Sequence, residues 1–240
     1  MIRAVVFDLM GTIAVSAHED VGWLEFMHER LTEHGLVGTV AQLEDAWNAT
    51  ETRPSAAGHT PFEEKIRRVV EAIGLDLSWE ATLAFAEETC ERSADYLNVD
   101  PDALILSESL KGKAHTPLVT NYDHPPEIHR FLMTSGLDRW LDPVIISGEL
   151  GIWKPDPRII QAALDAIEVE PGEALYVGDS RVDVEAALAT GVTPVLIARQ
   201  DGRADPFRAK EDDPEVEFAD LIRQQRVHVI RRLTEVEDLL

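Results

Sequence analysis

Four short segments of the sequence carry residues that suit chemistry on an anionic group. Asp8, Gly11 and Thr12 follow the apolar run AVVF, Thr120 and Asn121 follow TPLV, Lys154 lies in GIWKPDPRII, and Asp179 and Asp183 lie in VGDSRVD. Carboxylates that converge on one point require a cation, and an all-oxygen ligand set suits Mg²⁺. A lysine and a hydroxyl/amide pair beside that cation would bind a phosphoryl group. Asp8 would then be free to attack as a nucleophile.

Each segment alone also has a plain structural explanation. Thr120 and Asn121 could form a turn, and Asp183 could be the N-cap of the helix VDVEAALATG. The four segments nevertheless occur in order at the carboxyl ends of four predicted strands. We therefore expect one site at the carboxyl ends of parallel strands, where ligands bind in open α/β sheets.

The second half of the chain alternates between two hydrophobic patterns. Short apolar runs bounded by turn residues predict strands at 3–7, 116–121, 143–147, 174–179, 193–198 and 226–230. Helical spacing predicts helices at 126–137, 157–167 and 182–191, and residues 200–217 are predicted to be a charged loop. This alternation predicts an α/β fold with helices on both faces of a parallel sheet.

Residues 16–96 show no comparable strand signal and predict an inserted helical unit, called the helical insert below. Its helices are expected at about 18–34, 40–52, 61–74 and 79–96. Aromatic residues recur along these helices, and we expect most of them to pack the core of the insert.

Composition narrows the class of protein. A chain of 240 residues with 45% apolar content can bury a large core, and it shows no secretory signal or membrane span. A cytoplasmic protein is the expectation. The net charge of −23 disfavours nucleic-acid binding, and the single cysteine, Cys90, excludes an internal disulfide.

The four segments together resemble the sequence motifs of the haloacid dehalogenase-like (HAD) hydrolase superfamily. Its pattern is Asp-x-Asp-Gly-Thr, then Ser/Thr, then Lys, then Gly-Asp-Ser-x-x-Asp. The resemblance implies a Rossmann-like three-layer α/β sandwich with a central parallel sheet, formed by residues 1–15 and 97–240. It also implies an all-helical cap domain at 16–96, because one subgroup of the superfamily carries a helical lid there.

Position by position, the resemblance implies roles for the residues of this site. Asp8 would be the nucleophile, Thr120 and Lys154 would act on the transferring group, and Gly11, Thr12 and Asn121 would bind substrate. Asp8, Met10, Asp179 and Asp183 would form the Mg²⁺ site, with Met10 contributing its backbone carbonyl. The expected partner is a small anionic, phosphorylated substrate. Binding to a nucleic acid or to a membrane is not expected.

Met10 departs from the family pattern, which has a second aspartate at this position. That aspartate protonates the leaving alcohol, whereas a thioether cannot carry a proton at neutral pH. Loss of a positioned general acid costs about 10²- to 10⁴-fold in rate. We therefore expect poor activity on alkyl phosphate monoesters.

Several hypotheses remain open at this stage. One is a Mg²⁺-dependent hydrolase of acyl or activated aryl phosphates, or one that takes a proton from Arg53, His59 or Lys65. A second is carbon–halogen cleavage of the 2-haloacid dehalogenase type, which uses no metal and departs from the Gly-Asp-Ser motif. A third is phosphonoacetaldehyde hydrolase chemistry with Lys65 as the Schiff-base lysine. The fourth is a catalytically silent protein that binds a phosphorylated metabolite or a partner protein.

Overall fold

The computed structural model describes residues 1–16, 22–52, 58–94, 97–199 and 214–240. Its strands are β1 (Ala4–Phe7), β2 (Ala14–Val15), β3 (Asn98–Val99), β4 (Leu118–Thr120), β5 (Val144–Ile146), β6 (Ala174–Gly178), β7 (Thr193–Ile197) and β8 (His228–Ile230). Six of them form a parallel sheet in the order β5-β4-β1-β6-β7-β8. The short strands β2 and β3 pair with each other in antiparallel orientation.

Helices connect and cover these strands. They are α1 (Trp23–Glu33), α2 (Val40–Ala49), α3 (Pro61–Ala72), α4 (Trp79–Ala94), α5 (Pro101–Leu110), α6 (Pro125–Ser135), α7 (Ser147–Leu150), α8 (Arg158–Ile167), α9 (Arg181–Thr190), α10 (Pro214–Glu217) and α11 (Ala219–Arg223). A 3₁₀ segment, Leu233–Leu239, ends the chain.

Strand β1 lies between β4 and β6 and is buried along its whole length. Val6 pairs with Tyr176 of β6, and Phe7 pairs with Leu118 of β4. The strand order reverses at β1, since β4 and β5 lie on one side and β6 to β8 on the other. Such a switch point opens a crevice at the carboxyl ends of the strands, and Asp8 follows β1 at that place.

Each face of the parallel sheet packs against its own layer of helices. Phe7 and Leu118 contribute to one apolar cluster with α5, α6 and the terminal 3₁₀ segment, and Val6 and Tyr176 contribute to another with α8 and α9. The predicted three-layer α/β fold with a central parallel sheet is therefore confirmed.

The described part of the helical insert consists of α1 to α4, which share a separate apolar cluster around Met27, Leu31 and Ile66. Helices α2 and α3 both begin with a capping box, from Thr39 and Thr60 respectively. These reciprocal bonds satisfy backbone N–H groups that the first helical turn leaves free. The insert is helical as predicted, and residues 17–21, 53–57 and 95–96 lie outside the described part.

Several element bounds differ from the sequence predictions. Helix α5 and the pair β2 and β3 were not predicted, α6 ends at Ser135, and α9 begins at Arg181. Residues 200–213 of the predicted loop lie outside the described residues. The end of that segment is not a loop, because 214–217 form helix α10.

Among the residues that the structure describes, no helix combines the length and the apolar character needed to cross a membrane.

Candidate active site

The turn after β1 positions the predicted nucleophile. The Asp8 backbone N–H donates to the Val177 carbonyl at 2.9 Å, and the N–H of Thr12 donates to Leu9 at 3.2 Å. Gly11 has φ 73°, and a Cβ atom there would lie 2.2 Å from Asp179 Oδ2. Glycine is required at this turn because it allows both the positive φ and the close approach of Asp179.

Lys154 is the centre of the buried polar network. Its Nζ donates to Asp8 Oδ1 at 2.6 Å and to Asp183 Oδ1 at 2.7 Å. It also donates to the Tyr176 hydroxyl at 3.0 Å, and its side chain is only 2% exposed. The lysine that comes before α8 therefore joins the ends of β1, β6 and α9 through charge-assisted hydrogen bonds.

Both carboxylate oxygens of Asp183 accept hydrogen bonds. Its Oδ1 accepts from Lys154 and from the Tyr176 hydroxyl at 3.0 Å, and its Oδ2 accepts from the Ser180 N–H at 3.0 Å and the Ser180 hydroxyl at 2.5 Å. Ser180 is the N-cap of α9, so the alternative prediction of Asp183 as the N-cap is wrong. Asp183 instead occupies the third position of the helix, where a carboxylate reaches back to the N-cap backbone.

Burial and the neighbouring charges both shift the pKa values of these groups. Burial and the nearby Asp183 carboxylate raise the pKa of Asp8 to about 7, although Lys154 opposes that rise. Burial alone would lower the pKa of Lys154, but the two carboxylates outweigh it and raise this pKa. Burial also raises the pKa of Tyr176 well above its usual value. Lys154 therefore stays an ammonium, and Tyr176 stays a neutral hydroxyl.

The acidic residues of the site suit a divalent cation. Asp8, Asp179 and Asp183 each place a carboxylate oxygen within 4.8 Å of the others. Three carboxylates with one lysine leave an excess of negative charge, and an oxygen-only donor set is the type that Mg²⁺ prefers. Bound metal would hold Asp8 in its anionic form, because a nearby positive charge lowers the pKa of a carboxyl group. The observed donor set therefore fits the metal that the motifs imply.

Two of the predicted site residues carry buried hydroxyls without a hydrogen-bond partner in the described part of the chain. Within the described residues, Thr12 Oγ1 and Thr120 Oγ1 are buried and have no hydrogen-bond partner. A buried polar atom without a partner is costly, so its presence at a strand end calls for a ligand or a water. Both threonines were predicted to contact substrate, and their free hydroxyls are consistent with that role.

Asn121 and Met10 both make contacts within the protein. The Asn121 amide donates to the Lys154 carbonyl at 3.0 Å, and its Oδ1 accepts from the Lys154 N–H at 2.8 Å. The Met10 side chain is 6% exposed and packs in the apolar cluster beneath the site. Asn121 therefore holds the backbone of Lys154, and Met10 fills space where the family pattern has a carboxylate.

Arg199 and Asp100 are site-supporting residues that the sequence analysis missed. The Arg199 guanidinium donates to the Thr12 carbonyl at 2.7 Å, to Asp100 Oδ2 at 2.6 Å and to the Gly11 carbonyl. Both side chains of this ion pair are almost fully buried. The signal for Arg199 was its place just after strand β7, the same kind of place as that of Asp8.

A cavity of about 380 Å³ lies between the helical insert and the core. Its described lining includes Trp23, Trp47, Phe62 and Lys65 from the insert, and Asn121 and Trp153 from the core. His59 does not line it and stacks on Trp79 with ring centroids 3.9 Å apart, and Arg53 lies outside the described residues. Of the three, Lys65 alone faces the cavity within the part of the chain that the structure describes.

Comparison with known proteins identifies the class that this fold and site define. Residues 2–191 match the family described as haloacid dehalogenase-like hydrolase. The chain belongs to this family and is a hydrolase. The resemblance stated from the four motifs is thereby confirmed.

Similar proteins within this family carry more than one activity. The chain is 33% identical over 144 residues to (S)-2-haloacid dehalogenase 4A from Burkholderia cepacia, covering 60% of this chain and 56% of the relative. It is 35% identical over 171 residues to phosphoserine phosphatase from Thermus thermophilus, covering 69% of this chain and 65% of the relative. The match therefore spans less than two thirds of the length of either relative.

A solved structure with the same fold is a 2-haloacid dehalogenase from Pseudomonas syringae pv. Tomato DC3000. It superimposes with a TM-score of 0.69 at 20% identity, and the match covers 100% of this chain and 98% of the other. At this identity the similarity shows the fold.

Proposed function

We propose that the protein is a Mg²⁺-dependent phosphohydrolase that uses Asp8 as its nucleophile. The observation that carries this proposal is the cluster of Asp8, Asp179 and Asp183 around Lys154. An all-carboxylate cluster with excess negative charge suits a hard divalent cation. Bound there, Mg²⁺ would offset the negative charges of Asp8 and of an incoming phosphoryl group.

The residues of the site suit each part of a two-step hydrolysis. An Asp8 carboxylate oxygen forms a bond to phosphorus as the bond from phosphorus to the leaving-group oxygen breaks, and water then hydrolyses the aspartyl phosphate. The Lys154 ammonium offsets charge at Asp8 and at the phosphoryl oxygens. The free hydroxyls of Thr12 and Thr120 would donate to those oxygens.

Met10 narrows the substrates that such a site can cleave. Its buried thioether offers no proton to the departing oxygen. The leaving group must therefore depart as an anion, as the carboxylate of an acyl phosphate or the phenolate of an aryl phosphate does. We infer a small anionic, phosphorylated substrate of this activated type.

We also propose that residues 16–96 act as a cap domain over the site. The insert contacts the loop after β4: the Phe62 N–H donates to the Asp123 carbonyl at 3.0 Å, and Thr60 Oγ1 lies 3.0 Å from His124 Nδ1. These contacts place helix α3 beside the segment that begins with Thr120. A substrate bound at the strand ends would thus be covered by the insert.

Carbon–halogen cleavage is the second candidate function. Met10 favours it, because a halide leaves without a proton, and three similar proteins are (S)-2-haloacid dehalogenases. Asp179 weighs against it, because a metal-free dehalogenation has no use for a third carboxylate beside Asp8. The phosphoryl proposal explains all three carboxylates, and we favour it for that reason.

A substrate panel separates the two functions. We expect acetyl phosphate and phenyl phosphate to be hydrolysed with Mg²⁺ and not with EDTA, and 2-chloropropionate to be left intact. Asp8→Asn should abolish turnover, whereas Met10→Asp should raise the rate on an alkyl phosphate by about 10²- to 10⁴-fold. Chloride release from 2-chloropropionate in the presence of EDTA would establish the dehalogenase instead.

A further inference from the structure

The cavity under the helical insert has an aromatic wall. Trp23 and Trp47 meet edge to face with ring centroids 4.8 Å apart, and Trp47 and Phe62 do so at 5.9 Å. Trp153 from the core also lines the cavity. Aromatic side chains in this arrangement present faces and edges on which another planar ring packs favourably.

Lys65 and Asp123 are the charged residues in the described lining of the same cavity. The Lys65 ammonium lies 4.3 Å from the centre of the Trp47 ring, in cation–π contact with it. Asp123 lines the cavity as well, and its charge opposes the lowering of the Lys65 pKa by burial. A ring held by the aromatic wall would therefore also lie near charged groups.

Residues next to the predicted catalytic residues line the cavity. Two of its lining residues, Asn121 and Trp153, are the sequence neighbours of Thr120 and Lys154. The Asn121 side chain also donates a hydrogen bond to the Lys154 carbonyl and accepts one from the Lys154 N–H. A ligand in the cavity would thus lie beside the residues that we assign to the phosphoryl group.

Met10 provides a second and independent argument. Without a proton donor, cleavage is fastest when the leaving oxygen is a weak base. A phenol has a pKa of about 10, whereas the pKa of water, which alkanols approach, is about 15.7. An aromatic leaving group therefore satisfies both the chemistry at Met10 and the lining of the cavity.

We propose that the substrate is an aromatic phosphoryl compound whose ring belongs to the leaving group and packs against Trp23, Trp47, Phe62 and Trp153. This inference rests on the proposed phosphohydrolase function and adds the class of leaving group to it. Lys65 and Asp123 would contact a polar substituent on that ring.

A binding comparison tests the cavity without requiring turnover. Phenylphosphonate and methylphosphonate share the anionic group and differ in the ring, and isothermal titration calorimetry with MgCl₂ gives both affinities. We expect phenylphosphonate to bind at least about 10-fold more tightly. Trp47→Leu should remove most of that difference, and Trp79→Leu, which changes the same residue type elsewhere in the insert, should keep it.

The outcomes distinguish failure of this inference from failure of the proposed function. Equal affinities of the unmodified protein for the two phosphonates would overturn the aromatic site alone, and so would equal losses in the two tryptophan variants. Binding of neither phosphonate would overturn the phosphohydrolase as well.

Turnover gives a matched check of the same inference. Benzoyl phosphate and acetyl phosphate both release a carboxylate, so the ring is the main difference between them. We expect the lower KM for benzoyl phosphate, because contacts with a part of the substrate that does not react contribute to binding. Equal KM values for the two compounds would contradict the aromatic site.

Discussion

Lys154 shows how single residues hold this site together. Its ammonium contacts Asp8, Asp183 and Tyr176, and its backbone is fixed by Asn121. A lysine so enclosed loses the freedom of its long side chain, and its charge is held beside the Asp8 carboxylate. Tyr176 is the neutral member of this group and has no counterpart among the residues predicted from the sequence.

Tyr176→Phe tests whether that hydroxyl positions Lys154. The change removes the contacts at 3.0 Å to both Lys154 and Asp183 and keeps the ring in the core. Because hydrogen bonds to charged groups contribute about 1.5–3 kcal/mol, we expect kcat to fall by 10-fold or more with KM nearly unchanged. Steady-state kinetics on acetyl phosphate measure both constants. A lower melting temperature with unchanged kcat would mean that the hydroxyl only stabilises the fold.

The sequence predicted the charged members of the site for a simple physical reason. Asp8, Lys154 and Asp179 follow or lie beside apolar runs, and the carboxyl ends of parallel strands meet at one edge of a sheet. Tyr176 could not be found in this way, because it lies within an apolar strand. Arg199 does follow an apolar run, but its partner Asp100 is 99 positions away and carries no such signal.

At the scale of elements, the turn between β1 and β2 brings Asp179 close to Asp8. Gly11 allows Asp179 to approach the turn, and Arg199 holds the carbonyls of Gly11 and Thr12 from the other side. The turn is thus fixed by contacts from β6 and β7, the two strands that follow β1 in the sheet order.

Gly11→Ala should disrupt this arrangement, because the added Cβ would lie 2.2 Å from Asp179 Oδ2. We expect a loss of activity of about 10²-fold, comparable with misplacement of a reacting group by 1 Å. Gly136→Ala is the matched control, since Gly136 has φ 77° but no atom within 4 Å of its Cβ position. Phosphatase assays and thermal unfolding of both variants measure the difference.

In the control variant Gly136→Ala, the free energy of unfolding should fall by about 1 kcal/mol because of backbone strain, and activity should be retained. Equal activity in the two variants would show that the approach of Asp179 to Gly11 has no functional role.

Helices and strands were predicted well where the hydrophobic pattern was long, and poorly where it was short. The four helices of the insert follow from apolar residues at helical spacing over ten or more positions. Strands β2 and β3 contain two residues each, and two residues carry no periodicity. Helix α5 lies directly after the insert, in a segment for which no helix was predicted.

At the scale of the whole molecule, the strong negative charge affects how an anionic substrate reaches the site. A net charge of −23 favours an elevated local concentration of cations and opposes the approach of anions. An anionic substrate therefore depends on local positive charge, which Lys154 provides at the strand ends and Lys65 in the cavity. The helical insert supplies Lys65 and most of the aromatic residues that line the cavity.

The most direct test of the account is Mg²⁺ binding measured by isothermal titration calorimetry. We expect the unmodified protein to bind one Mg²⁺ at the cluster of Asp8, Asp179 and Asp183. Asp179→Asn should abolish that binding, and Asp138→Asn, which removes the same charge from an exposed position, should leave it intact. An unmodified protein that binds no Mg²⁺, or an Asp179→Asn variant that binds it equally well, would contradict the phosphohydrolase site.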